Sequence, residues 1–290
     1  MEIPLKNLAG KLSRSALEKL YNAQVWSQSK LMPPPPGGTL PPVWMTTGKP
    51  PYGLLARGGA LSDDALLLAY SKGVFPIHDN GSVNWWSSNP RMVLYPEKMV
   101  YGKKIRRQLK PGRFTVSFDT AFEDIVLGCS EREKTWLIPE RINIALSLHA
   151  KGLAHSVEVW DADGELVGGE FGVDLGGVFL SESAFYRTSY ASAVSCIYLN
   201  CYLQHWGYLL NDIGSYSEHW IKFGFESMPR GKYLRLLEKA GPGNKEKGAW
   251  SIDEGLDVYN WIPSRPGSQV AGALASPVSL SGRHEKRGGS

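Results

Sequence analysis

The stretch SVEVWDADGELVGGEFGVDLGGVFLSES, residues 156–183, decides the fold. It reads as three strands, 156–161, 166–173 and 178–183, each rich in β-branched and aromatic residues. Asp163-Gly164 and Gly176-Gly177 separate them. Such pairs accept the positive φ of tight hairpin turns, so the three strands form an antiparallel meander. On the C-terminal side, residues 189–205 read as a helix with Ala191, Val194, Tyr198 and Cys201 on its inner face. Tyr208–Ile213 then returns as a strand and Tyr233–Leu237 as a short helix. On the N-terminal side, Pro139–Lys151 is predicted helical, with Pro139 in the first turn and Gly152 as the stop. Further back, Phe114–Phe118 alternates like a strand, Lys103–Gln108 reads as a short basic helix and Phe75–Arg91 as an aromatic loop. Ser62 is placed as N-cap of a helix over Ala65–Tyr70 that stops at Lys72-Gly73. A run of strands, a helix and a returning strand define an α+β layer of acyltransferase type.

The chain ends differ from this body, which spans roughly residues 49–240. Leu12, Ala16, Leu17, Leu20 and Tyr21 have helical spacing, and Pro33–Pro36 with Gly37 and Gly38 form a stiff linker. From Pro263 onward Ser, Gly, Arg and Pro dominate and the chain reads as a tail without a core. Hydrophobic residues at 42% and charged residues at 21% are the proportions of a soluble globular protein. No apolar run approaches the ~20 residues of a membrane span, so no membrane partner is expected. A net charge of +4 permits a polyanionic partner without demanding one. Cys129, Cys196 and Cys201 are odd in number and widely spaced, which argues against a disulfide framework and for a reducing compartment. A cytoplasmic location is the expectation. Lys6, Lys11 and Arg14 with several serines leave organelle transit open, while Glu2 and Glu18 weaken it. On a helix, Cys196 and Cys201 lie ~140° apart, so with His205 they cannot converge on a zinc ion.

Four groups of residues carry a family resemblance across residues 51–237. They are Gly53–Gly59 with Leu68-Ala69-Tyr70 and Gly73–Pro76; Trp85-Trp86-Ser87 with Pro90-Arg91; Thr135-Trp136-Leu137 with His155–Trp160; and Leu166–Gly169, Gly172-Val173, Phe179, Glu182-Ser183, Phe185 and Ala191-Ser192. Asp212, His219, Gly224 and Pro229-Arg230 complete the pattern. In this order and spacing they resemble the leucyl/phenylalanyl-tRNA–protein transferases. The resemblance implies an α+β fold in which a small N-terminal α/β domain joins a domain like the GNAT acetyltransferases. The expected division is an extension with a Pro-rich linker at 1–48, the small domain at 49–92, the GNAT-like transferase domain at 93–242 and a disordered tail at 243–290. The chain is expected to act as a monomer.

The reaction so implied is aminolysis of an ester: an α-amine attacks the aminoacyl ester on a tRNA 3′ end and a ribose hydroxyl leaves. The ester is already activated, so no cofactor, ATP or metal is expected. The tasks left to a site are positioning, oxyanion stabilisation and proton transfer. The resemblance places Asp212 on the family's active-site acidic position, orienting or deprotonating the amine; read alone it is better taken as a strand-end or turn aspartate, Asn211-Asp212 being turn-prone. It places Glu182 beside the acceptor's basic first side chain, where a carboxylate would select Arg or Lys. Phe179 and Glu182 are three apart, so on a regular strand they face opposite ways unless a bulge intervenes. Trp136 would stack on the acceptor or the terminal adenosine, or serve as core. The donor pocket would be walled by Phe179, Ala184, Cys196, Leu199 and Leu203, with Glu170 and Asn211 as its polar members. In the family this pocket is apolar and takes Leu, Phe or Met; here Glu170 either turns outward, leaving a Leu/Phe pocket enlarged by Ala184, or pairs with a polar or cationic donor side chain such as Arg or Lys, because an ionised carboxylate beside an aliphatic ligand is costly. Lys103, Lys104, Arg106, Arg107, Lys110 and Arg113 are the densest basic cluster, suited to tRNA phosphates or to a solvated face.

The sequence also departs from the family's pattern. Gly214 stands where the family has glutamine, Ile77 where it has tryptophan, Ser181 where it has glycine and Ala193 where it has lysine. These leave open three partners for the aminoacyl-tRNA: a protein N-terminus beginning with Arg or Lys, a small-molecule amine, or, in a non-catalytic descendant, a binding target alone.

Overall fold

A computed structural model of the chain describes residues 40, 43, 53–79, 82–131, 135–241 and 250–263. The predicted N-terminal helix and the Pro-rich linker lie outside the described residues. The chain opens with β1 (Leu54–Arg57), α1 (Asp63–Ser71), β2 (Phe75–Asp79) and β3 (Ser82–Trp86). The Ser62 hydroxyl accepts the Ala65 N–H at 3.2 Å, and Asp63 and Asp64 in the first turn complement the helix dipole, so α1 starts where its sequence predicts. The strands form a three-stranded antiparallel sheet in the order β1-β3-β2. Residues 75–91, expected as a loop, are thus mostly hairpin. Pro76 masks the strand in the sequence, and it is tolerated because β2 is the edge of its sheet.

The second sheet has seven strands in the order β10-β4-β9-β8-β7-β6-β5. They are β4 (Arg91–Leu94), β5 (Thr115–Phe118), β6 (Ala154–Trp160), β7 (Leu166–Asp174), β8 (Val178–Tyr186), β9 (Leu210–Gly214) and β10 (Glu226–Met228). The helices between and after them are α2 (Lys103–Arg106), α3 (Phe122–Ser130), α4 (Pro139–Ala150), α5 (Ala191–His205), α6 (Glu218–Ile221) and α7 (Arg230–Ala240). The β6-β7-β8 meander is as predicted. β9 runs parallel to β8 because the crossover helix α5 separates them in the chain. The helix α3 and the short strands β4 and β10 carry too little periodicity to be read from sequence.

Phe179 joins one hydrophobic cluster and Leu180 the other, as successive residues of a strand must when both faces of a sheet are covered. On the first face lie α5 and residues 250–263; on the second lie α3, α4 and the small sheet with α1. Ala191, Val194 and Cys201 of α5 are buried as expected, but so are Ser195, Asn200 and most of the remaining helix. Residues 250–263, assigned in sequence to the tail, are part of the core. Trp250, Leu256, Val258 and Trp261 are buried, and the Trp250 ring stacks on His155 with centroids 4.3 Å apart. Widely spaced aromatic residues amid Gly and Asp show no periodicity, so their packing is invisible until the sheet is built.

The large sheet is irregular at two places around β8. Phe171 pairs with Ser183 and Gly172 with Ser181, so Glu182 is the extra residue of a β-bulge in β8. Gly172 makes the close approach possible, since a Cβ there would lie 2.3 Å from the Leu180 carbonyl oxygen. The parallel pairing of β8 with β9 runs from Val178/Leu210 to Leu180/Asp212. Beyond that point the two strands part.

Candidate active site

The parting of β8 and β9 opens two adjoining cavities. The first, about 230 Å³, lies between Tyr70, Ile77, Arg91, Trp136, Glu182 and Gly214. The second, about 280 Å³, is walled by Glu170, Ala184, Cys196, Tyr216, Trp220 and Phe225. Ser181, Glu182, Ile213 and Ser215 border both, so Glu182 stands in the shared wall.

The bulge turns Glu182 toward α1 and α4. Its carboxylate accepts the Tyr70 hydroxyl and, at 2.7 Å, an Arg141 N–H; the same guanidinium donates to the Tyr70 oxygen at 3.1 Å. Arg141 also lies over the Trp136 ring, 5.1 Å from its centroid. Burial pushes the Tyr70 phenol well above its ordinary range. Burial disfavours the Arg141 charge, but the neighbouring Tyr70 and Glu182 outweigh it and hold the guanidinium protonated. Glu182 is on the opposite side of β8 from Phe179, as the spacing of three required.

Asp212 is fully buried behind the first cavity. Arg91 Nε is 2.9 Å from both its oxygens, and Arg91 Nη2 is 2.8 Å from Oδ2. The Gly214 N–H donates to Oδ1 at 2.8 Å. Burial works against the Arg91 charge, and the neighbouring Asp212 more than offsets it, so the guanidinium keeps its charge. Tyr233 closes the far side, its ring 4.9 Å from the guanidinium carbon. Arg91, rather than Asp212, reaches the cavity wall. Gly214 has a φ of +73°, which suits glycine and not the glutamine of the family pattern.

The expected donor-pocket residues divide. Glu170, Ala184 and Cys196 line the second cavity. Asn211 sits behind it, fully buried, donating to Asn200 Oδ1 at 3.3 Å and accepting from Ser181 Oγ at 3.0 Å. Phe179, Leu199 and Leu203 are core residues outside both linings; Phe179 packs on Trp250. Glu170 faces inward. Burial pushes its carboxyl up to about 7, against the pull of the Ser195 and Ser181 hydroxyls. Burial likewise raises the Cys196 thiol, with Glu170 adding to the effect.

Within the basic cluster, Lys103, Lys104, Arg107, Lys110 and Arg113 are exposed or half-buried. Arg106 is engaged elsewhere: it donates to the Tyr259 carbonyl at 3.0 Å and the Trp261 carbonyl at 3.4 Å. Three site residues had no role from sequence: Tyr70, Arg91 and Arg141. The signal available for Arg91 was a cation opening the apolar run Met92-Val93-Leu94, which demands a buried acid. Arg141 and Tyr70 carry no such flag.

The comparisons with known proteins agree with one another. The family described as leucyl/phenylalanyl-tRNA protein transferase matches residues 93–238, and its N-terminal domain matches residues 59–89. The leucyl/phenylalanyl-tRNA–protein transferase of Oleidesulfovibrio alaskensis is 40% identical over 214 residues, 70% of this chain and 86% of that one. The protein of the same name from Aromatoleum aromaticum is 41% identical over 216 residues, 72% of this chain and 90% of that one. A solved structure, that of L-PGS from Bacillus licheniformis, overlaps 52% of this chain and 56% of its own at 12% identity and a TM-score of 0.34, too distant to define the fold. With both domains matched in order, at about 40% identity to whole relatives, the chain belongs to the leucyl/phenylalanyl-tRNA–protein transferase family of aminoacyltransferases.

Proposed function

We propose that this chain moves an amino acid of the Leu/Phe/Met type from charged tRNA onto the α-amine of a protein beginning with Arg or Lys, on a GNAT-like sheet whose parted strands hold the reaction. The observation that carries the reading is the pair of cavities meeting at Glu182: one takes the acceptor, the other the donor side chain. The amine nitrogen forms a bond to the ester carbonyl carbon, the C–O bond to ribose breaks, and the amine proton passes to the ribose oxygen. A peptide α-amine titrates at about 7.7–8.0, so a useful fraction is neutral near pH 7. Glu182 is the carboxylate at the junction and the candidate to receive that proton, with Tyr70 and Arg141 fixing its orientation. Asp212 acts one step removed: it positions Arg91 and the turn at Gly214, which shape the acceptor cavity. Trp136 offers the acceptor a flat wall. The exposed lysines and arginines near α2 hold tRNA phosphates, and the enzyme works as a cytoplasmic monomer.

A small-amine acceptor is the second reading. It is favoured by Gly214 and Ile77, which present no polar side chain to the first cavity. One assay addresses both: purified protein, separately charged tRNAs, and either an Arg-starting peptide or an extract of small amines, read by mass spectrometry. Modified peptide supports the first reading. Modified small amine with unmodified peptide replaces it by the second, and no product from either refutes both.

A further inference from the structure

We infer that Tyr216 is the platform on which the terminal adenine of the charged tRNA stacks. The inference rests on the aminoacyl-transfer reading and adds a binding residue to it. The described aromatic residues lining the cavities are Tyr70, Phe75 and Trp136 in the first and Tyr216, Trp220 and Phe225 in the second. All but one are engaged within the protein. Tyr70 is buried and donates to Glu182. Phe75 has the Arg91 guanidinium 5.1 Å from its centroid, and Trp136 has that of Arg141 at 5.1 Å. Trp220 packs against Phe223 and Phe225, with centroids 5.3 and 5.8 Å away. Tyr216 differs. It is 55% exposed and has no hydrogen bond, ring contact or cation among the described residues. A ring left uncovered on the rim of a cavity is apolar area that a flat ligand can cover.

The chemistry of the donor says which ligand. The amine comes from one cavity and the aminoacyl side chain occupies the other, so the ester carbonyl lies where they meet. That carbonyl is joined to ribose, and the base is one sugar away from the junction. Ser215 borders both cavities, and Tyr216 follows it directly in the chain. The unpaired base at a tRNA 3′ end offers a free π-face, and tyrosine is one of the side chains that stack on such bases.

The basic cluster lies on the same side. The Val100 N–H donates to the Phe223 carbonyl at 3.0 Å, and a Cβ at Gly224 would lie 2.7 Å from the Lys98 carbonyl oxygen. The wall formed by Trp220 and Phe225 is thus fastened to the segment leading into α2, where the exposed Lys103 and Lys104 begin the cluster. A tRNA whose phosphates are held there presents its 3′ end to the second cavity across the Tyr216 rim. The first cavity competes less well for a base, because Ile77 stands where the family pattern has tryptophan.

The test uses the full chain, an Arg-starting peptide and three phenylalanine donors: phenylalanyl-tRNA, the 3′ phenylalanyl ester of adenosine, and the same ester of a ribose without a base. Tyr216→Ala is expected to raise KM for the adenosine ester at least about tenfold, with a much smaller change in kcat and none for the base-less ester. Tyr216→Phe should rescue the adenosine KM, because the ring and not the hydroxyl is the platform. Calorimetric binding of 3′-phenylalanylamino-3′-deoxyadenosine, an amide in place of the ester, gives a readout apart from transfer, and Tyr216→Ala should weaken it by a similar factor. Unchanged KM and unchanged amide binding in Tyr216→Ala overturn the platform and leave the transferase reading standing. An equal loss with the base-less ester also overturns it, because the ring then serves something other than the base. Absence of transfer from all three donors, with amide binding weakened in Tyr216→Ala, overturns the transferase reading and supports the platform.

Discussion

Asp212 and Glu182 are both acids read as catalytic, yet burial and partners give them different work. Asp212 neutralises a buried guanidinium, and removing one member of such a pair costs about 3–5 kcal/mol. Asp212→Asn should therefore lower the denaturation midpoint as well as the transfer rate. Glu182→Gln keeps the shape of the wall but cannot take a proton, and it removes one charge of the buried pair with Arg141. It should reduce kcat about 100-fold or more and also lower the denaturation midpoint, which stopped-flow assays and urea titration can measure. Glu170 has a pH signature. Its carboxyl shifts from 4.5 to about 7 on folding, so between those values the folded state holds a proton that the unfolded state has released. Stability is unaffected below pH 4.5 and falls as pH rises toward 7, by about 3 kcal/mol across that interval. The titratable groups sharing its cavity are Glu182, bridged to Arg141, and Cys196 and Tyr216. Comparing Glu170→Gln with wild type at pH 4.5 and pH 7.5 isolates the effect: the variant should gain relative stability at the higher pH, and parallel profiles would refute it. At this scale the sequence exposed the acids because acidic residues in apolar strands stand out. It hid Tyr70 and Arg141, which are ordinary helix residues until the bulge aims Glu182 at them.

Among the elements, the meander was legible because Asp-Gly and Gly-Gly turns punctuate alternating strands, and the turns set the register. The bulge was not legible, because Phe179 and Glu182 keep the opposite facing that a spacing of three gives on a regular strand. Its position depends on Gly172, where a Cβ would press on the Leu180 carbonyl. Gly172→Ala should destabilise by about 1–3 kcal/mol and also slow transfer, because relief of the contact moves Glu182. A stable but inactive variant would separate the two effects. The β2–β3 hairpin was lost to sequence reading because proline argues against strands except at edges, and edge status is a property of the assembled sheet. Residues 250–263 were lost for a related reason: Trp250, Leu256, Val258 and Trp261 pack into the core with α5 and the sheet, with no local repeat to announce it.

Across the whole molecule, charge and binding are divided between surfaces. The exposed members of the basic cluster lie on and after α2, while Arg106 is spent on the carbonyls of Tyr259 and Trp261. Charge reversal at Lys104 or Arg107 should raise KM for tRNA and flatten its salt dependence with little change in stability. Arg106→Ala should instead loosen the C-terminal segment and lower the melting temperature, and a variant that altered only the salt slope would contradict this. The cavities themselves exist because a hydrogen-bond ladder is interrupted between β8 and β9 after Leu180/Asp212. Unzipped strand edges are places where backbone can also bind backbone. An incoming peptide held in extended form would add the grip of its own amides to that on its first side chain.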